Sequence, residues 1–262
     1  REKRPKPFFD DKTQIDLNAY WLSTLIFVAE VFEKEEWKEL ALSKYNIIKN
    51  LTKDGIFHCY KDKEGVRVFL DDYTYLTQLM INFYEITSDA IFLDDAKKLA
   101  QNTWDLFYDK KNKILQKNPI EKNDLFVPPL DVNDSNIPNG NSIFLLNCKK
   151  LEAITNETKW LDMANDLIKS FHSYLNLQST QMVSYIKNMD MCEELITFSF
   201  FGDINKNKEL HNYVKKNYLK FATLVYKKNS KENYLIVCKN QTCSNKIKTL
   251  EELKSVERSY AI

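Results

Sequence analysis

The chain has 262 residues, of which 44% are hydrophobic and 13% aromatic, with 38 basic and 37 acidic side chains. This length and composition indicate a globular protein with one large core or two modest ones. A formal net charge of +1, spread without long single-sign blocks, argues against nucleic acid as the main partner. No apolar run approaches the roughly 20 residues of a membrane helix, so we expect a soluble, cytoplasmic protein without a membrane partner.

Helical pairs follow one another through residues 15–175. Residues 15–34 are apolar around most of the helical circumference, whereas residues 35–50 are apolar on one face, which predicts a buried inner helix and an outer partner. The pair recurs at residues 73–107 and 142–175. Each outer helix carries an aromatic residue four positions before an alanine: Trp37 and Ala41, Phe92 and Ala96, Trp160 and Ala164. Such self-similarity is typical of an array of helical hairpins.

The pattern changes after residue 190. Residues 193–203, 220–228 and 233–240 resemble short strands, with a helix at 205–219 and another at 249–260. The sequence therefore predicts a mainly α fold: a hairpin domain over residues 1–190 and a small α/β tail over residues 191–262 packed on it.

The sequence contains no recognisable cofactor or metal motif. Five scattered cysteines favour free thiols in a reduced compartment. Cys238 and Cys243 enclose four residues, which fits neither a redox C-x-x-C nor a clear half of a zinc site, so we expect a structural role in the tail. The chain has four glycines and no glycine-rich phosphate loop. We therefore predict no cofactor, no metal and no nucleotide.

Polar motifs precede the three inner helices. In a hairpin array, every connection from an outer helix to the next inner helix lies on one face, so these motifs should share one rim with the loop residues His58, Arg67 and Asp134. A few convergent polar groups at a concave mouth form a default binding hypothesis. The candidate ligand-binding residues on this rim are Asp10, Lys12, His58, Tyr73, Asp134, Asn139, Asn141 and Ser142.

The acids of these motifs have two interpretations. Asp and Asn are preferred helix N-caps, and capping alone accounts for Asp11, Asp72 and Asn141. A second acid beside a capping acid raises one pKa of the pair, so a general acid should be the non-capping member. Glycoside chemistry needs carboxyl groups on opposite sides of the bond, one from residues 10 and 11 and one from residues 71 and 72. The candidate catalytic residues are Asp11, Asp71 and Asp72.

Several segments together resemble a known family. They are REKRPKPFFDDK, FLDDYTYLTQLMINFYEITSDAIFLDDAKKL, PNGNS, ELITFSFFGD and VCKNQTCSNKI, in this order. They resemble the C-terminal part of the YyaL and spermatogenesis-associated thioredoxin-domain family. The resemblance implies a thioredoxin-like domain followed by an (α/α)6 toroid related to six-hairpin glycosidases and sugar epimerases. This chain would correspond to about three hairpins, the second half of that toroid, without the thioredoxin-like domain.

The chain departs from the family pattern at two places. Leu17, Asn18 and Ala19 stand where the family tends to have Trp-Asn-Gly. Asn18 keeps the asparagine of this motif, and the resemblance makes it a further candidate ligand-binding residue. Pro128 and Val132 stand where the family tends to have an arginine before an acidic stretch. These departures are consistent with an altered site.

Two functions remain open at this point. The first is a carbohydrate-related toroid that binds or acts on a sugar-like ligand at an acid-rich mouth. The second is a non-catalytic binding or structural module that works with a thioredoxin-like domain. Three hairpins cannot close a six-hairpin ring, so we also expect apolar surface near residues 22–32. A longer polypeptide, a second copy or a separate first half of the toroid should cover it.

Overall fold

Three helical hairpins follow one another, as the sequence predicted. The structure, a computed structural model, describes residues 4–7, 11–61, 64–65, 67–122, 132–218, 222–239 and 242–260. The hairpins are α1 (Ile15–Val31) with α2 (Glu35–Leu51), α3 (Leu70–Thr87) with α4 (Ala90–Phe107), and α5 (Gly140–Thr155) with α6 (Thr158–Gln178). The short connections make the helices of each pair antiparallel neighbours.

The first helices of the hairpins form an inner layer in which α1 packs on α3 and α3 packs on α5. Ala41, Ala96 and Ala164 of the outer helices are each 0% exposed. A side chain this small lets an outer helix approach the inner layer closely. The aromatic and alanine spacing in the sequence therefore marks the buried face of the outer helices.

Helix α1 is less buried than its composition suggested. Leu17, Trp21, Phe27 and Val31 are between 42% and 54% exposed, and Phe32, directly after the helix, is 64% exposed. This exposure contradicts the expected burial around most of the helix but agrees with the apolar surface expected near residues 22–32, because α1 lies at the end of the inner layer and packs on α3 on one side only. No helix in the described ranges is both long and apolar enough to cross a membrane.

A fourth inner helix, α7 (Val183–Glu193), was not predicted from the sequence. It follows a 3-10 turn at Ser179–Gln181 and packs on α5. Tyr185 is 2% exposed and stacks on Phe171 of α6, with ring centroids 4.6 Å apart. Since α7 extends the inner layer, the layer consists of α1, α3, α5 and α7.

Short strands join the hairpins at the end of the array where the inner helices begin. β1 (Thr13–Gln14) pairs with β2 (Cys59–Lys61), which pairs with β3 (Glu64–Gly65). β4 (Tyr108–Asp109) pairs with β5 (Ile114–Leu115). These strands bring the connections between hairpins back to the starts of the inner helices.

The tail forms a four-stranded sheet with the order β7-β6-β8-β9. Its elements are β6 (Ile196–Phe201), α8 (Lys208–Tyr218), β7 (Ala222–Lys227), β8 (Tyr234–Lys239), β9 (Thr242–Cys243) and α9 (Leu250–Tyr260). β6 and β7 are parallel with α8 between them in the chain, and β8 runs antiparallel to β6. The predicted α/β tail is therefore present, and its placement as a separate domain from residue 191 stays a prediction.

Two tail cysteines correct the expectation of free thiols. Cys238 and Cys243 oppose each other in β8 and β9 and form a disulfide, with Cα atoms 4.1 Å apart. β8 and β9 pair antiparallel, with Lys239 opposite Thr242, and this register places the two cysteine side chains on neighbouring strands. Cys59, Cys148 and Cys192 are not part of a disulfide.

The tail packs against the ends of α1 and α3. The Tyr226 hydroxyl donates a hydrogen bond to the Glu85 carbonyl at 2.6 Å, and the Tyr226 amide donates to the Tyr84 hydroxyl at 3.0 Å. Lys215 of α8 forms an ion pair with Glu30 at 2.9 Å. These contacts place β7 and α8 across the end of the inner layer opposite to the polar motifs.

Candidate functional site

Asp72 is the third residue of α3 rather than its predicted N-cap, and it stabilises the helix start by accepting from the N-cap residue Phe69. Its Oδ2 accepts a hydrogen bond from the Phe69 amide at 2.8 Å, and its Oδ1 lies 3.0 Å from Nδ1 of His58. The side chain is 0% exposed. A carboxylate at this position satisfies an otherwise unpaired amide and interacts favourably with the helix dipole. Both oxygens of Asp72 contact protein groups in this structure, and its predicted catalytic role stays a prediction.

His58 joins α3 to α1. Its Nδ1 lies 3.8 Å from Oδ1 of Asp16, which also accepts a hydrogen bond from the Leu17 amide at 2.7 Å. The hydrogen bond with Asp72 raises the pKa of His58 above its ordinary value, against the effect of burial. Burial, together with the nearby Asp72 carboxylate, raises the pKa of Asp16.

Sequence reasoning missed Asp16. It lies inside the segment that contains Asp11 and Lys12, in the first turn of an inner helix, and it is 7% exposed. An acid at the start of a largely apolar helix was the available signal. Asp16, His58 and Asp72 now form one group, with donor atoms all within 4.8 Å of one another. Among the described residues, they are the histidine, cysteine and carboxylate cluster that could hold a metal ion.

Asp71 is positioned by the start of α5. A Cβ atom on Gly140 would lie 2.7 Å from Oδ1 of Asp71 and 2.8 Å from Cγ of Leu70, so the glycine permits this close approach. Oδ2 of Asp71 lies 4.0 Å from the Lys117 ammonium. The motif PNGNS therefore brings the starts of α3 and α5 together.

The predicted residues around the start of α5 form a buried hydrogen-bond network. Asn139 caps the helix by accepting from the Ser142 amide at 2.9 Å. Asp134 accepts from the amides of Asn139 at 3.0 Å and Ser184 at 2.7 Å, and also from the Ser184 hydroxyl. Burial opposes ionisation of Asp134, but the hydrogen bonds from Ser184 and Asn139 lower its pKa below the ordinary value.

The Asn141 side chain pairs with the backbone of β5. Its Oδ1 accepts from the Leu115 amide at 3.0 Å, and its Nδ2 donates to the Leu115 carbonyl at 2.8 Å. The side chain is 0% exposed. Asn141 thus pairs with the backbone of β5 as a neighbouring strand would, and its predicted ligand contact stays a prediction.

The remaining predicted residues are dispersed around the rim. Asp10 lies outside the described residues, while Asp11 and Lys12 are exposed. Asn18 donates to the Gln14 carbonyl at 2.6 Å. Tyr73 packs edge-on against Phe107, with ring centroids 5.8 Å apart. The structure therefore brings His58, Asp71 and Asp72 close together, whereas Asp11 and Lys12 lie at the surface.

A cavity of about 350 Å³ lies deeper in the concave face of the inner layer. All four inner helices line it, and α8 and β7 close its floor. Thr24, Phe27 and Lys187 are exposed and mark its mouth. None of the described residues that the sequence predicted for the site lines this cavity. Tyr20 is the lining residue nearest the start of α1, one turn beyond Asp16.

Amides line the middle of the cavity. Gln78 and Asn82 are one helical turn apart on α3 and half-buried. The side-chain amide of neither residue makes a hydrogen bond to another described residue. Asn147 donates to the Thr74 carbonyl, but its Oδ1 has no partner among the described residues. Ser23 Oγ is also buried without a hydrogen-bond partner there. The cavity wall therefore offers both donors and acceptors that the described protein groups do not use.

Ion pairs form the floor. Glu30 contacts Lys38 at 2.8 Å and Lys215 at 2.9 Å, and Glu85 contacts Lys150 at 2.7 Å. Burial lowers the pKa of Lys215, although Glu30 counteracts this effect. Pairing of this kind offsets the cost of burying charge and fixes the carboxylates in place.

Comparisons with known proteins establish the fold. No protein-family model matches the chain, and no curated protein matches it. A cellobiose 2-epimerase from Bacillus thermoamylovorans is similar in structure, with a TM-score of 0.51 and 14% identity, over 62% of this chain and 45% of that one. A glycoside hydrolase family 76 mannosidase from Bacteroides thetaiotaomicron gives a TM-score of 0.47 and 19% identity, over 62% of this chain and 44% of that one.

The chain is therefore a partial α/α toroid of helical hairpins with a small α/β tail. It spans less than half the length of either structural neighbour. Membership in the YyaL family and the thioredoxin-like partner stay predictions.

Proposed function

We propose that the cavity in the concave face binds a sugar-like small molecule. The observation that carries this proposal is the pair of half-buried amides, Gln78 and Asn82, which face the cavity without hydrogen bonds to other described residues. Each amide offers donors and an acceptor, and a sugar hydroxyl needs both. The cavity volume of about 350 Å³ lies near the lower end of small-molecule sites, which range from about 300 to 1,000 Å³.

The apolar part of the wall fits the same ligand class. Tyr20, Phe27 and Ile143 border the amides and offer surface for the C–H faces of a sugar ring. The name of the structural neighbour, cellobiose 2-epimerase, adds a fold-level analogy that guides which ligands to test. The proposed function is binding, and the rim acids receive no catalytic assignment here.

A ligand panel with matched variants tests this function. Neutral mono- and disaccharides, uronic acids and sugar phosphates are screened by thermal shift, and the dissociation constant of each hit is measured by calorimetry. Gln78→Leu and Asn82→Leu should each weaken binding at least tenfold. Asn46→Leu, which changes an exposed amide of the outer helix α2, should leave binding unchanged.

Asp72→Asn distinguishes the cavity from the rim. Because Asp72 does not line the cavity, a cavity ligand should bind this variant with unchanged affinity. A sugar that binds the wild type and both cavity variants equally, but fails to bind Asp72→Asn, would place the site at the rim. The absence of any sugar ligand in the panel would also contradict the proposal.

A further inference from the structure

We propose that Asp16, His58 and Asp72 form a binding site for a divalent transition-metal ion of the zinc type. The three side chains come from separate segments: the first turn of α1, the residue before β2 and the first turn of α3. One imidazole nitrogen and two carboxylate oxygens form a donor set that suits such an ion. The site goes beyond the proposed sugar-binding cavity, because none of the three residues lines that cavity.

The distance between His58 and Asp72 fits two ligands of one ion. Ligands bound at about 2.1 Å to one ion are about 3.0 Å apart at right angles and about 3.4 Å apart at tetrahedral angles. His58 Nδ1 lies 3.0 Å from Asp72 Oδ1 and 3.8 Å from Asp16 Oδ1. The His58–Asp72 separation already fits, whereas the Asp16 side chain would have to rotate towards these two donors to complete the site.

The carboxylate of Asp16 has unused capacity to bind a cation. The side chain is more than nine-tenths buried, yet among the described residues its hydrogen bonds come only from the backbone amides of Leu17 and of Asp16 itself. Burying a carboxylate with so few hydrogen bonds costs free energy unless a cation is close. A bound ion would neutralise both carboxylates at once.

The surroundings orient these ligands as outer partners do in metal sites. The Phe69 amide fixes Asp72 through the oxygen that does not face His58. The side-chain amide nitrogen of Gln14 (Nε2) lies 3.3 Å from Nε2 of His58. If this amide turns over, its oxygen accepts from Nε2–H, which leaves the Nδ1 lone pair for the ion. The His58 side chain is 17% exposed, so an ion can enter from solvent.

Equilibrium dialysis with Zn²⁺ tests the site. The whole chain is treated with chelator and kept free of reductant, so that the disulfide leaves the thiols of Cys238 and Cys243 unavailable. We expect one equivalent of Zn²⁺ bound by the wild type, with an accompanying rise in the unfolding temperature. Asp16→Asn, which retains the shape and the contact to the Leu17 amide, should weaken Zn²⁺ binding at least tenfold.

Two further variants keep the test decisive. His58→Gln should also lose the ion, and its circular dichroism without metal shows whether it folds. Asp94→Asn changes an exposed acid of the outer helix α4 and should bind Zn²⁺ as the wild type does. Equal Zn²⁺ binding by wild type and a folded Asp16→Asn, or no Zn²⁺ bound by the wild type, would overturn the proposal.

Discussion

Asp72 Oδ1 lies 3.0 Å from Nδ1 of His58, so the acid that stabilises the start of α3 also holds the segment that leads into β2. Its other oxygen accepts from the Phe69 amide at 2.8 Å. The two adjacent acids at the start of α3 therefore differ in their contacts. Asp72 supports the helix start, whereas Asp71 lies against Gly140 and near Lys117.

Replacement of Asp72 by alanine should lower the free energy of unfolding by about 2–4 kcal/mol. The helix start loses an acceptor worth about 1 kcal/mol, and His58 loses a buried partner worth about 1–3 kcal/mol. Urea denaturation measures the change. Asp94→Ala, at an exposed position of α4, should stay within about 0.5 kcal/mol of wild type. A similarly small effect for Asp72→Ala would mean that the cap contributes nothing.

Gly140→Ala should destabilise the protein, although alanine is the better helix former by about 1 kcal/mol. The added Cβ would lie 2.7 Å from Asp71 Oδ1 and 2.8 Å from Leu70 Cγ, which forces the starts of α3 and α5 apart. Overpacking of this kind costs about 1–3 kcal/mol. Thermal unfolding compares it with Ser43→Ala on the exposed face of α2. A higher melting temperature for Gly140→Ala would show that the two helix starts separate freely.

His211 should make stability depend on pH. Burial, with Lys215 and Lys38 nearby, lowers its pKa to about 3, while an unfolded histidine titrates near 6.5. Since the unfolded chain binds the proton first, stability from this residue is complete above about pH 6.5 and is lost as pH falls towards 3. The loss is at most about 1.4 kcal/mol per pH unit.

Urea unfolding between pH 4 and 7 isolates this effect when wild type is compared with His211→Gln. Glutamine can still donate to the Tyr226 hydroxyl, which lies 2.9 Å from Nε2 of His211. The variant should show a shallower rise of stability with pH. His172→Gln, at an exposed position of α6, should show the wild-type slope. Equal slopes for all three proteins would mean that His211 titrates normally in the folded state.

The count of free thiols should be three in the oxidised protein. Cys59, Cys148 and Cys192 are not part of a disulfide, and Cys238 pairs with Cys243. Thiol titration in denaturant without reductant should therefore give three equivalents per chain, rising to five after reduction. Cys238→Ser should give four without reductant, because it releases Cys243. Five thiols in the untreated wild type would contradict the disulfide.

The sequence was sufficient to predict the hairpins and the tail because both have strong periodic signals. The aromatic and alanine spacing identified the outer helices, and alternating apolar runs identified β6, β7 and β8. Helix α7 was missed because it is short and its exposed face carries Val183 and Ile186, so no clear amphipathic pattern appears. The exposed apolar face of α1 was expected from the open hairpin array, whereas the apolar periodicity of the helix alone indicated burial on most sides.

The candidate site was less predictable. Hairpin topology placed Asp72 and His58 on one rim, and the two side chains lie 3.0 Å apart, while their functional role stays a prediction. Asp16 escaped notice, since a single acid in a helix resembles a solvated position. Gln78 and Asn82 carry no sequence signal at all. Their cavity exists because β7 and α8 close the floor, through contacts between residues far apart in the chain.

A crystal structure with the strongest-binding sugar of the panel tests the cavity most directly. We predict ligand density beside Gln78 and Asn82, between Tyr20 and the ion pair of Glu85 with Lys150. Density at the rim beside Asp16 and His58, with no sugar in the cavity, would contradict this assignment.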